Sequence, residues 1–362
     1  MKNPNQLKII ALDGFADRAQ AVQDHIRKLN KTPKENYLVD ISCVRFSNGE
    51  GKVRINESVR DKDLFIIADV GNYSCTYKMY GTENRKSPDD HFADIKRAIG
   101  AVSGKQARIT VVMPLLYQSR QDKRTARESL DCATALKELA AMNVRSVITF
   151  DAHNPGVQNA IPFNGFDSIR PTVPMLKEFI EREKSNITKS KMIVVSPDLG
   201  AVSRTTDFAS MLGLDVGIFY KRRDFSTIVN GKNPIAAKVY TGASVKGKTC
   251  IITDDMIATG DSVIEVATEL KRLGARETIV IASFGLFNAG IERFDAAHKD
   301  GIIKTVYCTN LSYVPSLQKP WLVVVDLTKL IALVINTLHN NGSLAQYAES
   351  RERIKDLLET SF

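Results

Sequence analysis

The stretch Thr253–Ser262, TDDMIATGDS, decides the fold of this chain. Its two adjacent carboxylates follow the apolar run Cys250–Ile252, which is typical of a buried strand. A short loop of small residues comes next, followed by apolar residues at helical spacing, and Gly274 is placed to end that helix. Free N–H groups in such a loop and first helical turn hold a phosphate, and the carboxylates accept hydrogen bonds from a ribose diol. The stretch therefore predicts a phosphosugar site. For the acidic pair alone, a plain strand-to-helix turn is the alternative.

The composition indicates the class of protein. At 362 residues the chain is long for a single core, so two domains are expected. Its hydrophobic content of 43% and charged content of 25% are ordinary for a globular protein. The net charge of +9 suits an enzyme that handles several phosphates. Because the sequence has no long Lys/Arg block and no aromatic-rich basic stripe, we expect no nucleic-acid partner.

Cysteine usage and hydropathy indicate the compartment. The five cysteines are scattered, odd in number and without a Cys-x-x-Cys pair, so neither a disulfide framework nor a zinc site is indicated. The N-terminus has no apolar signal-peptide core, and no apolar run approaches membrane-spanning length. These features favour a cytoplasmic protein with no membrane partner.

Short apolar strands alternate with amphipathic helices along nearly the whole chain. This alternation predicts an α/β protein with mostly parallel sheets and helices on both faces. Strands are predicted at Leu7–Leu12, Leu64–Ala68, Ile109–Met113, Val147–Phe150, Met192–Val195, Asp215–Tyr220, Thr249–Ile252, Thr278–Ala282, Ile303–Cys308 and Trp321–Asp326. Helices are predicted at Ala16–Leu29, His91–Ala101, Ser129–Met142, Val202–Leu212, Ser262–Leu273 and Leu327–His339. Pro162, Pro171 and Pro174 break the regularity near residues 160–175, where the two domains are expected to join.

Two polar segments, Tyr73–Asp90 and Lys221–Asn233, have the composition of mobile loops. The second opens with Lys-Arg-Arg-Asp. A cationic loop beside a phosphate site can neutralise transition-state charge and exclude water, as a closing lid does. A solvated surface loop is the alternative for both segments.

Four further strings place polar side chains at predicted strand ends, where open α/β sheets bind ligands. Arg45–Glu50 offers an aromatic ring, an amide and a carboxylate that suit a purine, although a plain turn is the alternative. Met113–Arg124 offers cationic and amide donors for phosphates. Thr149–Asn154 and Val195–Gly200 supply a histidine and a carboxylate that could ligate or orient Mg²⁺, directly or through water.

All these strings occur in the same order in ribose-phosphate pyrophosphokinases, and the chain resembles that family from about Lys8 to about His339. The matching strings are Arg45–Glu50, Glu57–Arg60, Tyr117–Lys123, Asp151–His153, Ser196–Asp198, Lys221–Arg223, Val245–Lys248 and Asp254–Ser262. The resemblance implies two phosphoribosyltransferase-like domains, each a mostly parallel sheet flanked by helices. Residues 1–165 would form the ATP side and residues 166–340 the ribose 5-phosphate side, followed by a C-terminal helical tail at 341–362.

The resemblance also implies a role for each matching residue. On the ATP side, Phe46 would stack on adenine, and the full set of ATP-binding residues is Phe46, Asn48, Glu50, Arg120 and Gln121. His153 and Asp198 would organise Mg²⁺, and Lys221 and Arg223 would stabilise the transferring diphosphoryl group. The residues of the ribose 5-phosphate site would be Asp254, Asp255, Ala258, Thr259, Gly260, Asp261 and Ser262.

The implied reaction transfers the diphosphoryl group of MgATP to the 1-hydroxyl of ribose 5-phosphate, giving phosphoribosyl diphosphate and AMP. The implied assembly is a homo-oligomer built from dimers, with a hexamer as one arrangement. In phosphoryl-type transfer the protein mostly positions groups and stabilises charge, which agrees with many cationic donors and no evident nucleophile.

Two residues depart from the family pattern, and they keep other functions open. Ala258 stands where the family usually has Asp, and Asp261 stands where it usually has Gly. Ala-Thr-Gly is instead the pattern of some phosphoribosyltransferases, so a transferase that uses phosphoribosyl diphosphate is the first alternative. A catalytically weak subunit that regulates true synthases is the second. Tyr73–Asp90 is also longer than the corresponding family segment.

Overall fold

The structure, a computed structural model, describes residues 6–102, 104–183, 186–223, 235–315 and 318–348. Within these ranges the chain divides into two compact units. Unit 1 comprises the residues up to Pro171, together with Asn310–Tyr313 and the residues from Asp326 onward. Unit 2 comprises Thr172–Thr309 and Val314–Val325.

Unit 1 is built on a five-stranded sheet whose strands all run parallel. The strands of unit 1, inside and outside this sheet, are in chain order β1 (Leu7–Ala11), β2 (Ile41–Arg45), β3 (Gly51–Ile55), β4 (Asp63–Ile67), β5 (Thr76–Met79), β6 (Thr82–Arg85), β7 (Arg108–Val112), β8 (Ser146–Phe150) and β9 (Gly165–Ile169). The sheet order is β1-β4-β7-β8-β9, and β2–β3 and β5–β6 form two separate antiparallel hairpins.

Unit 2 is built on a seven-stranded sheet in the order β12-β11-β10-β13-β14-β15-β16. Its strands are β10 (Met192–Ser196), β11 (Asp215–Arg223), β12 (Ile235–Gly242), β13 (Thr249–Ile257), β14 (Glu277–Gly285), β15 (Thr305–Thr309) and β16 (Leu322–Val325). Only the β11–β12 pair is antiparallel. The near-continuous apolar strands follow from this arrangement, since a parallel sheet is covered on both faces.

Helices cover the sheets, as the strand–helix alternation predicts. They are α1 (Ala16–Asn30), α2 (Pro88–Val102), α3 (Asp131–Ala141), α4 (Thr172–Glu183), α5 (Val202–Leu212), α6 (Asp261–Arg272), α7 (Glu292–Lys299), α8 (Thr328–His339) and α9 (Ala345–Ala348). Alternate residues of β10 reach opposite faces, since Ile193 packs in a core that contains Val266 of α6 and Val194 packs in a core that contains Phe179 of α4. This α/β architecture confirms the predicted fold class. No helix in the described ranges is long and apolar enough to cross a membrane.

The prediction of a mobile loop at Tyr73–Asp90 is wrong. The segment forms the β5–β6 hairpin and the first turn of α2, and the two strands join through Tyr80 and Gly81. Lys86, which the sequence placed in the loop, is buried and paired with Asp13 and Asp94. Polar side chains suggested a loop, but the strands pair with each other and leave most of those side chains in solvent.

Two predicted strand ends are also wrong. β11 continues through Lys221–Arg223, where a lid loop was expected to begin, because β12 supplies a hydrogen-bonding partner for its backbone. The rest of the predicted lid, residues 224–233, lies outside the described residues. β13 likewise continues through the acidic pair to Ile257, because β14 pairs with it as far as Gly285.

Near the predicted junction, residues 160–175 contain β9 and the start of α4. The division between the units falls after Pro171. Pro174 does not break structure, since it lies in the first turn of α4, where a helix tolerates a residue without an N–H.

After β15 the chain returns to unit 1, where Asp69 holds residues 310–313 in place. The carboxylate of this fully buried residue accepts hydrogen bonds from Arg18 Nη2 (2.9 Å), Ser312 Oγ (2.8 Å) and the Tyr313 N–H (2.7 Å). Arg18 also donates to the carbonyl of Asn310 (2.7 Å). A charge-assisted network of hydrogen bonds therefore joins residues 310–313 to the rest of unit 1.

A second buried carboxylate holds the C-terminal end of α8. Arg108 Nη2 donates to Asp63 Oδ2 (2.7 Å) and to the carbonyl of Leu338 (2.7 Å), and His339 Nδ1 lies 2.8 Å from Asp63 Oδ2. The Arg108 guanidinium thus satisfies a carbonyl that the helix end leaves without an internal partner. Because of these contacts, residues 326–340 belong with unit 1, whereas the sequence assigned them to the second domain. Of the predicted tail at 341–362, residues 349–362 lie outside the described residues.

We expect Arg108→Ala to lower the free energy of unfolding by about 3 kcal/mol, because it removes the charged donor that the buried Asp63 carboxylate and the end of α8 share. Burial alone raises the pKa of Asp63, but hydrogen bonds from His339 and Arg108 outweigh it and hold the pKa below its usual 3.8. The stabilisation is therefore present above about pH 4 and is lost as pH falls through the lowered pKa. Urea unfolding at pH 7 measures the loss. Lys105→Ala, an exposed cation in the loop before β7, is the control, and an equal loss there would contradict the assignment.

Candidate active site

The sheet of unit 2 has a topological switch point between β10 and β13. From β10 the chain passes through α5 to β11 on one side, and β13 returns to lie on the other side. In open α/β sheets the crevice at the carboxyl ends of two such strands is the usual ligand site. Asp198 follows β10 directly, and Asp254 and Asp255 lie near the end of β13. The structure therefore brings these three predicted carboxylates to one edge of one sheet.

The acidic pair is largely withdrawn from water. Asp255 is buried, Asp254 Oδ1 accepts the Asp255 N–H (2.8 Å), and Asp255 Oδ1 accepts the Met256 N–H (2.9 Å). Burial and the neighbouring Asp255 charge raise the pKa of Asp254 to about 8, while Arg204 acts in the opposite direction. Burial and the neighbouring charge therefore favour the protonated form of Asp254, and a protonated carboxyl can donate as well as accept hydrogen bonds.

The loop after β13 is a rigid backbone cradle. Gly260 has φ +85° and precedes the first residue of α6, and a Cβ at this position would lie 2.5 Å from a ring carbon of Phe294. Only glycine suits both the left-handed conformation and this close approach. The Asn288 N–H donates to the carbonyl of Ala258 (2.8 Å), which anchors the other side of the loop. The N–H groups at the start of α6 are thereby held in place for an anion.

Asp261, the acidic departure from the family pattern, is exposed at the start of α6. Its carboxylate accepts a hydrogen bond from Thr259 Oγ1 (2.7 Å) and pairs with the guanidinium of Arg293 on α7. Arg293 and Thr259 hold the pKa of Asp261 below its usual range, so the side chain stays ionised. The negative charge beside the cradle is therefore partly neutralised by Arg293. Ser262 follows in the same turn and is exposed.

The sequence did not identify Arg204 and Arg293 as site residues. Arg204 lies in the first turn of α5, six residues after Asp198, so helical spacing from that strand end could have indicated it. Arg293 lies about 30 residues beyond the loop in α7, and only the packing of Phe294 against Gly260 brings it there. No sequence signal links it to the cradle.

Asp198 organises the turn between β10 and α5. Its Oδ1 accepts the N–H groups of Gly200 (2.9 Å) and Ala201 (3.2 Å), and Ser196 Oγ donates to its carbonyl (2.6 Å). The predicted catalytic residues Lys221 and Arg223 belong to the next strand, β11. Because β10 ends at Ser196, opposite Ile218, the backbone of residues 221–223 continues past that strand end.

In unit 1 the predicted adenine-contacting residues form the turn between β2 and β3. The Phe46 N–H donates to the carbonyl of Glu50 (2.8 Å), and Asn48 Oδ1 accepts the Glu50 N–H (3.1 Å). Phe46 is 49% exposed, so its ring remains accessible to a ligand.

Helix α2 anchors both predicted ATP-binding strings. Arg45, at the start of the turn, donates to Asp94 Oδ2 (2.8 Å). Tyr117, in the loop after β7, stacks on Phe92 with ring centroids 4.3 Å apart and donates to Asp89 (2.7 Å). Arg120 and Gln121 follow Tyr117 in this loop and are exposed. The two strings are far apart in sequence, but one helix holds them.

His153 follows β8 and is exposed. The adjacent Asn154 donates to Asp122 Oδ2 (2.7 Å), which ties this turn to the loop that carries Arg120 and Gln121. The predicted magnesium residues are thus divided, with His153 in unit 1 and Asp198 in unit 2. Across the part of the chain that the structure describes, no three His, Cys, Asp or Glu side chains form a group that could hold a metal ion.

Known proteins resemble both halves of the chain. The model of the N-terminal domain of ribose phosphate pyrophosphokinase matches residues 7–142, and the model of the phosphoribosyl transferase domain matches residues 172–306. The ribose-phosphate pyrophosphokinase of Mycoplasma pneumoniae is 31% identical over 316 residues, which cover 86% of this chain and 88% of that protein. The chain belongs to the ribose-phosphate pyrophosphokinase family.

Further relatives of the family span nearly the whole chain. The ribose-phosphate pyrophosphokinase of Thermotoga maritima is 28% identical over 350 residues, covering 95% of this chain and 99% of that protein. The crystal structure of phosphoribosylpyrophosphate synthetase from Mycobacterium smegmatis has the same fold, with a TM-score of 0.75, 24% identity and coverage of 93% of this chain and 100% of that one. The chain is therefore an enzyme, a transferase of the ribose-phosphate pyrophosphokinase family that serves nucleotide biosynthesis.

We expect Asp254→Asn to raise the melting temperature of the protein. The raised pKa of Asp254 means that ionising this group opposes folding, so stability is lost as pH rises from the unfolded pKa of about 4 toward 8. Asparagine removes that penalty, and a gain of about 1 kcal/mol raises the melting temperature by roughly 2–4 °C in a chain of this size. Calorimetry at pH 5.5 and 8 measures it, and the gain should be larger at pH 8. Asp300→Asn, an exposed acid, should show no such difference, and a pH-independent effect of Asp254→Asn would contradict the raised pKa.

Proposed function

We propose that the enzyme transfers the diphosphoryl group of MgATP to the 1-hydroxyl of ribose 5-phosphate, giving phosphoribosyl diphosphate and AMP. One observation carries the proposal: the acidic pair lies at the switch point, directly before Gly260 and the N-terminus of α6. Carboxylate acceptors suit the hydroxyls of a sugar diol, and backbone donors at a helix N-terminus suit a phosphate. The family to which the chain belongs supports the same reaction.

Each part of the sugar site has one task. The N–H groups of residues 258–262 would hold the 5-phosphate, with Thr259 and Ser262 as hydroxyl donors. Asp254 and Asp255 would bind the ribose hydroxyls. Because the diol and the phosphate are both held, the 1-hydroxyl has a fixed position, and positioning is a large part of catalysis in phosphoryl-type transfer.

In the transfer step, the 1-hydroxyl oxygen attacks the β-phosphorus of ATP. A bond forms between this oxygen and the β-phosphorus, and the bond from the β-phosphorus to the α,β-bridging oxygen breaks. AMP leaves with the bridging oxygen, and the hydroxyl proton passes to solvent. Lys221 and Arg223 would stabilise the negative charge on the transferring group, where preorganised cations have their largest effect.

Phe46, Asn48 and Glu50 would bind the adenine, and Arg120 and Gln121 the ATP phosphates. His153 and Asp198 would contact Mg²⁺, and carboxylate oxygens of the kind found at the switch point are the donors that this ion prefers. The ion would neutralise phosphate charge when bound. Phosphate oxygens and water would complete its coordination, as is usual for Mg²⁺.

The direct test incubates the enzyme with ATP, ribose 5-phosphate and Mg²⁺ and follows AMP and phosphoribosyl diphosphate by chromatography. An oxygen isotope at the 1-hydroxyl should appear in phosphoribosyl diphosphate and not in AMP. Both products should require both substrates and should stop forming in excess chelator.

Other outcomes would identify the alternatives. Diphosphate release from phosphoribosyl diphosphate on addition of a nucleobase would identify a phosphoribosyltransferase. Sugar-phosphate binding without turnover would favour a regulatory subunit. The Asp261 carboxylate beside the cradle, which departs from the family pattern, is the feature that agrees with this alternative.

We expect Lys221→Ala and Arg223→Ala each to lower kcat by about 100-fold or more, with KM values changed only severalfold, because a contact made in the transition state is lost. Steady-state kinetics with each substrate varied in turn measure both constants. Lys299→Ala, at the exposed end of α7, is the control and should behave as wild type. Near-normal turnover in both variants would remove these residues from the catalytic set.

We expect Ala258→Asp to lower the KM for ribose 5-phosphate by roughly tenfold without changing the KM for ATP, because it restores a charged acceptor worth about 1.5–3 kcal/mol. Asp261→Asn should lower the same KM severalfold, because it removes an anion beside the cradle while keeping the size of the side chain. Calorimetric titration with ribose 5-phosphate checks both variants. A raised KM in Asp261→Asn would mean that the carboxylate helps the sugar to bind.

A further inference from the structure

The β5–β6 hairpin, which was predicted from the sequence to be a loop, packs against the turn that carries Phe46. The Tyr80 N–H, at the tip of this hairpin, donates to the carbonyl of Ser47 (2.8 Å). Gly49 has φ +91°, and a Cβ there would lie 2.6 Å from Met79 Sδ. The two hairpin tips are therefore joined by a backbone hydrogen bond and by close packing, so their side chains share one region of the surface.

Tyr80 has an unfavourable backbone for its residue type. Tyr80 (φ +49°) and Gly81 (φ +81°) form a two-residue turn in which both positions are left-handed. Asn-Gly is the preferred pair for such a turn, and a bulky aromatic at the first position is strained. The Tyr80 side chain is nevertheless 77% exposed, so packing within the protein does not compensate for the strain. A strained and exposed aromatic residue is a reason to look for a ligand.

We propose that Tyr80 is a second aromatic contact for the base of the bound nucleotide, beside Phe46. The inference rests on the proposed function, in which Phe46 stacks on adenine. Ser47 and Tyr80 are hydrogen-bonded through their backbones, so the two exposed aromatic residues, Phe46 and Tyr80, stand at adjoining tips. A base that lies on Phe46 exposes its other face and its edge, and a phenol ring offers both a stacking surface and a hydroxyl.

Buried contacts hold the tips in this arrangement before any ligand binds. The Arg45 guanidinium lies 5.3 Å from the centroid of the Tyr77 ring and is fixed by Asp94. Lys86, at the exit of the hairpin, reaches the same carboxylate (3.1 Å). A preorganised aromatic pair loses little conformational freedom on binding, which favours affinity.

The test compares Tyr80→Asn and Tyr80→Phe with wild type. Asparagine removes the ring but suits the left-handed turn, so the hairpin remains intact. Phe163→Asn removes another exposed aromatic of unit 1, which is 98% exposed, and serves as the control. Binding of α,β-methylene-ATP, which resists the proposed cleavage, is measured by calorimetry. Melting temperature and sedimentation are recorded for each protein.

We expect Tyr80→Asn to weaken binding of the analogue by about tenfold, the scale of one lost base-stacking contact, and Tyr80→Phe to stay within about threefold of wild type. The KM for ATP should rise with kcat and the KM for ribose 5-phosphate unchanged, and the preference for ATP over CTP should fall. Phe163→Asn should match wild type in every measurement.

Two results overturn the inference. If Tyr80→Asn binds the analogue as tightly as wild type does, the proposed reaction stands and Tyr80 has no role in it. If that unchanged affinity comes with a smaller sedimentation coefficient, Tyr80 is a contact between subunits instead. Failure of wild type to bind the analogue is a different result, since it removes the ATP site and this inference together.

Discussion

The buried carboxylate of Asp94 is the contact on which the proposed nucleotide site of unit 1 depends. It accepts hydrogen bonds from Arg45 (2.8 Å), Lys86 (3.1 Å) and Arg97 (2.7 Å). Each cation belongs to a different part of the unit, namely the β2–β3 hairpin, the exit of the β5–β6 hairpin and α2 itself. One carboxylate shared by three cations in a poorly solvated place links all three parts of the unit, and removing it would cost each cation a carboxylate partner.

The proposed sugar site of unit 2 is built differently. Its proposed donors are backbone N–H groups at the start of α6, and Gly260 and the β13–β14 pairing set the direction of those groups. Backbone donors do not depend on side-chain identity, so this chain can carry Ala258 and Asp261 without losing the cradle. Side-chain changes adjust the charge around the proposed anion site, as Arg293 does by pairing with Asp261, whereas the backbone would determine where the anion binds.

The sequence predicted the elements of structure that depend on local patterns of residues. It did not predict the contacts that residues distant in the chain determine. The change from a strand period to a helical period located β13 and α6, and strand–helix alternation gave the fold class. Polar hairpin strands such as β5 and β6 contain no buried side chain, so their sequences resemble those of loops. The place of α8 could not be predicted either, because it depends on Asp63 and Arg108, more than 200 residues earlier in the chain. Pairings such as Arg293 with Asp261 arise only when helices pack.

The return of residues 326–339 to unit 1 affects how the protein folds during translation. On the ribosome, the segment up to Pro171 emerges first, yet α8, which completes that unit, follows only after all of unit 2 has been synthesised. At ordinary elongation rates this delay lasts roughly ten to thirty seconds. During that time the surface of α1 that α8 later covers is open to water and to chaperones. Between Thr172 and Val325, by contrast, unit 2 is interrupted only by the four residues Asn310–Tyr313. Unit 1, although its first segment is translated before unit 2, therefore cannot complete its native contacts until α8 has been synthesised.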